Sequence, residues 1–104
     1  MYVLPVFEVR LAFDAVRELD AVPVYYRRAI EDAIRTQLTT EPTRMTRNRK
    51  PLVNLAVPWT SNQPVWELRV RSYRVFYDVD PVASVVVIRA IRLKGRGRST
   101  EDIV

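Results

Sequence analysis

An α+β fold, with an N-terminal strand and a helical hairpin packed on an antiparallel sheet of about four strands, follows from three observations. The first is alternation: in Val65–Asp80, Trp66, Leu68 and Val70 oppose Glu67, Arg69 and Arg71, and then Tyr73, Val75 and Tyr77 oppose Arg74, Phe76 and Asp78. The second is a helical stripe, Tyr26, Ile30, Ile34 and Leu38, with Ala29 and Ala33 beside it. The third is order: one strand, two helices and then only strands, so the helices gather on one side of a meander.

Each element has its own signal. Tyr2–Leu11 reads as a strand, with Phe7, Val9 and Leu11 inward, and Pro5 favours an edge position or a start nearer Val6. Phe13, Val16 and Leu19 then recur at helical spacing, which predicts a short helix to about Asp20. Pro23 suits the first turn of the second helix, which stops near Thr39–Pro42. Thr43–Lys50 reads as a loop or frayed helix end, Leu52–Val57 as a short strand and Pro58–Pro64 as a connector. Asp80–Ser84 makes a hairpin loop before the β-branched strand Val85–Ile91. The basic tail Arg92–Arg98 holds both glycines of the chain.

At 104 residues the expectation is a single domain, 1–104, with one core. The net charge of +5 is unevenly placed. Residues 1–40 hold five arginines against six carboxylates, whereas residues 41–104 hold twelve basic side chains against six acidic ones. A polyanion or a strongly acidic protein is the natural partner of such a C-terminal part. With no cysteine there is no disulfide framework, thiol nucleophile or ordinary zinc site, and with no histidine there is no imidazole acid–base chemistry. No apolar run is long enough to span a bilayer, and the N-terminus lacks a signal-peptide pattern, so a cytoplasmic address without a membrane partner is expected.

Arg69, Arg71 and Arg74 converge in the two strands of Val65–Asp80, which suits an RNA backbone or an acidic partner. Arg47, Arg49 and Lys50, Arg89 and Arg92 on the last strand, and Arg98 in the tail are further candidates for nucleic-acid contact, alongside the ordinary role of solvated charges. Trp59 and Trp66 read as packing residues first and base-stacking residues second. Asp78 and Asp80 share strand parity but read as a hairpin end, and no metal is expected there.

The sequence Trp66-Glu-Leu-Arg-Val-Arg-Ser-Tyr-Arg-Val-Phe-Tyr77, followed by Val85–Ile91 and the basic Lys94-Gly-Arg96, resembles the RelE/ParE superfamily of toxins from bacterial type II toxin–antitoxin systems. The resemblance covers nearly the whole chain. It implies a RelE/ParE-like fold and one of two activities: cleavage of mRNA on the ribosome, or, in the ParE branch, inhibition of DNA gyrase. It also implies a cognate antitoxin encoded next door, with the ribosome and mRNA as further partners and DNA reached only through the antitoxin. By position, Arg74 matches the strand arginine that contacts the scissile phosphate, with Arg69 and Arg71 on the preceding strand and Lys94 and Arg96 after the last one.

The expected chemistry needs neither metal nor organic cofactor: the ribose 2′-hydroxyl attacks the adjacent phosphate and cationic groups stabilise the phosphorane. One departure stands out. Where family members carry a C-terminal Tyr or His, this tail reads Arg98-Ser-Thr-Glu-Asp-Ile-Val104. Glu67, Asp78 and Lys94 are then the candidates for proton transfer, and a catalytically degenerate toxin or an unrelated RNA-binding domain stays open beside the two activities.

Overall fold

The computed structural model describes residues 6–104. The first half of the expected opening strand, Tyr2–Pro5, lies outside them; within them strand β1 is Glu8–Leu11. Helix α1 (Phe13–Ala21) and helix α2 (Val24–Ala33) follow, and α2 runs on through one π-helical stretch, Ile34–Leu38. Strands β2 (Arg49–Leu52), β3 (Val65–Val70), β4 (Tyr73–Asp80) and β5 (Val85–Leu93) come next, and a short helix α3 (Thr100–Ile103) ends the chain. The expected α+β class holds, and the sheet has five strands in the order β1-β5-β4-β3-β2.

The sheet is mixed because β1 joins at the edge in parallel with β5, from Glu8 opposite Val85 to Leu11 opposite Ile88. The remaining pairings are antiparallel. The short strand expected over Leu52–Val57 is corrected: β2 ends at Leu52, residues 53–57 form no strand, and the pairing with β3 is made instead by Arg49–Leu52, mostly from the segment read as a loop.

One face of the sheet carries the main core. Ala15 and Val22 of the α1 region and Ile30, Ile34 and Leu38 pack against Trp66, Leu68, Val70, Val75, Tyr77, Val86, Ile88 and Ile91. The α2 stripe is therefore core except at Tyr26, which is 40% exposed. The α1 stripe is rotated from the expected one. Phe13 and Val16 are exposed, Leu19 packs inward as expected, and Ala15 joins it in the core.

The rotation follows from where α1 lies. β1 ends opposite Ile88, Ala12 N–H donates to Ile88 O (2.8 Å), and among the described residues no strand lies beside the edge of β5 beyond that point. Helix α1 takes that place, and Glu18 Oε1 accepts the Ile91 N–H at 2.9 Å. A carboxylate thus satisfies a backbone donor that an uncovered edge would leave open.

The opposite face is covered in its middle. Val65, Phe76, Ala90 and Ile103 form a second buried cluster, flanked by Leu52, Val57, Trp59 and Val104. The C-terminal segment is thus a docked element. Ser99 caps α3 through a reciprocal capping box with Asp102, and Thr100 Oγ1 donates to Glu67 Oε2 at 2.7 Å. Phe76 and Asp78, which alternation placed outward with Arg74, are completely buried under this cover.

Candidate functional site

Strand register sets the rows of the covered face. Lys50, Glu67, Phe76 and Ala90 lie side by side, and the next row is Arg69, Arg74 and Arg92. The tight turn Arg71–Ser72 joins β3 to β4 at the end of these rows. Lys94 N–H donates to Ser72 O at 2.8 Å, which anchors the start of the basic tail to that turn. Four of the five residues singled out as catalytic, Arg69, Arg71, Arg74 and Lys94, therefore gather at one end of the sheet. Arg96 follows in an exposed turn between Gly95 and Gly97, where Gly97 takes φ +76°.

These cations are not equivalent. Arg69 and Arg71 are exposed and Lys94 half-buried, whereas Arg74 is only 7% exposed. Its Nη1 donates to Arg71 O (2.9 Å) and Tyr73 O (2.8 Å), so the guanidinium clamps the backbone of the turn. Its Nε is buried with no partner among the described residues. Burial pulls the Arg74 pKa down, the Arg69 charge adds to this, and Glu67 opposes it.

Two strains concentrate here. Arg69 and Arg74 are direct cross-strand neighbours of like charge, an arrangement that opposes sheet stability. Arg71 sits at φ +54°, where a side chain is disfavoured and glycine is the usual choice in a two-residue hairpin turn. Arg71→Gly is expected to raise stability by about 1 kcal/mol, or roughly 4–8 °C in Tm, while removing a cation from the cluster. Thermal unfolding checks this, and a lower Tm would refute it.

Other expected contacts turn out to be internal. Arg49 lies opposite Leu68 and so points to the helix side, unlike its neighbour Lys50. It is 6% exposed, and its Nη1 donates to Gln37 O (3.1 Å) and to Glu41 O, carbonyls at and just beyond the end of the π-helical stretch. Its assignment to nucleic-acid contact is corrected: it is a buried clamp on a helix C-terminus. Tyr77 works beside it, its hydroxyl donating to Pro42 O, and burial pushes its pKa up.

Arg89 and Arg92 are likewise paired inside the fold. A register shift sets Phe76 opposite Ala90 but Tyr77 opposite Ile88, which leaves Arg89 as the extra residue of a bulge. Arg89 binds Asp78 through Nε–Oδ2 (2.7 Å) and Nη2–Oδ1 (3.3 Å). The Asp78 carboxylate is thus engaged by an arginine, which corrects its candidacy for proton transfer. Arg92 Nη1 pairs with Glu18 Oε2, its Nε donates to Ile103 O (2.9 Å), and its guanidinium lies 5.7 Å from the Trp59 ring centre. Trp66 is core, and Trp59 packs on Phe76 with ring centres 5.6 Å apart.

Arg47, Lys50 and Arg98 remain exposed. Lys50 stands beside two shallow depressions, one shared with Arg47, Glu67 and Arg69 and one with Lys94 and Thr100. Among the partners that sequence reasoning missed are Asp78 for Arg89, Glu18 for Arg92, Thr100 for Glu67 and Tyr25 for Arg71. Only Tyr25 left a trace, because two adjacent tyrosines on a helix cannot both join one stripe.

The arrangement can hold a phosphodiester or a carboxylate-rich segment through Arg69, Arg71, Lys94 and Lys50, with Arg74 fixing the turn that presents them. Two acids of the C-terminal segment have pKa values displaced downward. Glu101 is lowered first by its own backbone N–H, and Asp102 first by the Ser99 N–H.

Comparison with known proteins bears on the fold and the family. The model of a family described as the ParE toxin of the type II toxin–antitoxin system parDE matches residues 9–96. The toxin–antitoxin complex RelBE2 from Mycobacterium tuberculosis has a similar chain, at TM-score 0.67 and 24% identity, with 86% of this chain and 99% of that one covered. The archaeal RelE–RelB complex from Pyrococcus horikoshii OT3 has another, at TM-score 0.68 and 23% identity, with 90% and 99% covered. At such identities the likeness is one of fold. No individually curated protein matches the chain. The match over most of the length, on a fold shared with RelE-type chains, means that this protein belongs to the ParE toxin family of type II toxin–antitoxin systems, within the RelE/ParE superfamily.

Proposed function

We propose that this toxin is a ribosome-dependent mRNA endoribonuclease, held in check by a cognate antitoxin that covers its cationic hairpin end. The observation that carries the reading is the gathering of Arg69, Arg71, Arg74 and Lys94 around the Arg71–Ser72 turn. Arg69 and Arg71 bind the non-bridging oxygens of the scissile phosphate. The 2′-oxygen attacks phosphorus and the bond to the 5′-oxygen breaks, giving a 2′,3′-cyclic phosphate and a 5′-hydroxyl. The 2′-hydroxyl proton leaves to solvent, and Lys94 donates a proton to the departing 5′-oxygen. Arg74 is a positioning residue, since its guanidinium is committed to the turn carbonyls.

The antitoxin reading rests on the toxin–antitoxin complexes that share the fold. An acidic segment is the chemistry that would mask this end of the sheet.

A second reading has its own support. Arg74 is buried and Glu67 is held by Thr100, which suits a toxin that acts by binding, as a gyrase inhibitor does. Controlled induction of the chain without an antitoxin, with mapping of mRNA 5′-ends, decides between them. New 5′-ends inside translated frames, in phase with codons, are the expected result. Growth arrest with DNA damage and intact mRNA would replace this reading with gyrase inhibition. Neither arrest nor cuts would mean a degenerate toxin.

A further inference from the structure

The hairpin turn has a second side, which the cationic cluster does not use. Tyr25 and Tyr26, near the start of α2, are 65% and 40% exposed. Their rings meet edge-on at 5.2 Å and 88°, and Tyr26 contacts Tyr73 of β4 at 5.8 Å. The Arg71 guanidinium lies 5.1 Å from the Tyr25 ring centre. Arg71 thus joins the phosphate-binding end of the sheet to an exposed aromatic surface on the helix side.

A groove of about 700 Å³ runs from this surface along α2, lined by Val24, Tyr25, Arg28, Ala29 and Arg71 among others. Its two acids are already paired, Glu31 with Arg27 at 3.9 Å and Asp32 with Arg35. Arg28 and Arg71 therefore leave the groove cationic.

Exposed aromatic rings bordered by arginines that have no carboxylate partner among the described residues suit single-stranded nucleic acid, in which the backbone follows the charge and unstacked bases lie on the rings. We infer that Tyr25, with Tyr26 and Arg71, forms a base-stacking subsite for the RNA strand that crosses the hairpin end. This rests on the RNA reading of the toxin and deepens it: the aromatic group absent from the C-terminal tail is supplied from α2. A protein partner is the alternative occupant, but the continuity of the rings with Arg71 and the phosphate-binding end favours RNA.

Binding of a fluorescein-labelled, 2′-O-methylated hexaribonucleotide to the full chain tests this by anisotropy over a range of salt concentrations. Tyr25→Ala should weaken binding about tenfold with the salt dependence unchanged, and Tyr25→Trp should restore it. Arg69→Ala should instead reduce the slope of log K against log salt by about 0.7. An abasic oligonucleotide should bind the wild type and Tyr25→Ala alike. If Tyr25→Ala binds the hexamer as well as the wild type while Arg69→Ala does not, the stacking inference falls and the RNA reading stands. If the wild type shows no salt-dependent RNA binding, the stacking inference falls, and the mapping of mRNA 5′-ends decides the RNA reading separately. Loss of antitoxin affinity alone in Tyr25→Ala would make the surface a protein interface and overturn the inference. Because Tyr25 is largely exposed, Tyr25→Ala should retain the wild-type Tm, which the same samples report.

Discussion

Arg69→Ala is expected to slow mRNA cleavage about a hundredfold and to relieve growth arrest, with folding stability unchanged or slightly higher. The two effects separate because Arg69 binds the phosphate under the proposed function, while within the fold it faces a like charge. Its side chain is exposed and stands directly across the strand from Arg74. Removing one of two facing like charges is neutral or favourable for the sheet. A preorganised cation facing a developing phosphorane, by contrast, accounts for a factor of about 10²–10³. The same substitution lifts the Arg74 pKa back toward its ordinary value, since Arg69 contributes to its depression. Quantified 5′-ends and growth curves read the activity, and urea unfolding reads the stability. Full cleavage by a folded Arg69→Ala protein would refute the assignment of the hairpin end as the phosphate site.

The second large effect lies away from the cluster. Asp78→Ala is expected to cost about 3 kcal/mol of folding stability. The Asp78 side chain is 1% exposed and makes two hydrogen bonds to Arg89, whose own side chain is 22% exposed. Removing the carboxylate leaves a largely buried guanidinium without its counter-charge, a change that costs about 3–5 kcal/mol in such pairs. Partial access of Arg89 to water sets the expected value at the low end. For a small protein of marginal stability that is a large share of the total. Asp78→Ala combined with Arg89→Met should recover part of the loss, because the double substitution removes both charges. Denaturant unfolding of the two variants measures this. A single-variant loss below about 1 kcal/mol would mean that the pair contributes little.

Both predictions draw on features of different legibility. Alternation in two adjacent strands brought Arg69, Arg71 and Arg74 into one region, and the register then set Arg69 directly opposite Arg74. The Asp78–Arg89 pair could not be read from the sequence. Asp78 stands opposite Val87 and Arg89 follows two residues on, at a bulge, so the pair depends on a register that only the folded hairpin fixes.

The burial of Arg74 was hidden for a related reason. Alternation assigns a residue to a face but does not say what covers that face. A connector and α3, whose four residues carry no periodic signal, cover the middle of this face, and Arg74 itself folds back onto the turn carbonyls. Similarly, Thr43–Lys50 showed four positive charges without a carboxylate, and composition treats them alike. Tertiary structure separates them: Arg44 pairs with Glu41 (3.0 Å), Arg49 is buried against helix carbonyls, and Arg47 and Lys50 remain in solvent.

The sequence by itself determined the α+β class, the α2 stripe, the β3–β4 and β4–β5 hairpins, and the family resemblance that the match over residues 9–96 bears out. These depend on periodicity, turn chemistry and residue order, all of which are local. Only the tertiary structure decided that β1 runs parallel to β5 at the sheet edge, that Glu18 caps the open part of that edge, and which arginines are free to meet a ligand. A guanidinium on a strand carries the same charge wherever it stands. Whether it faces water, a carboxylate or a carbonyl depends on residues distant in the chain, and so it is settled only when the fold closes.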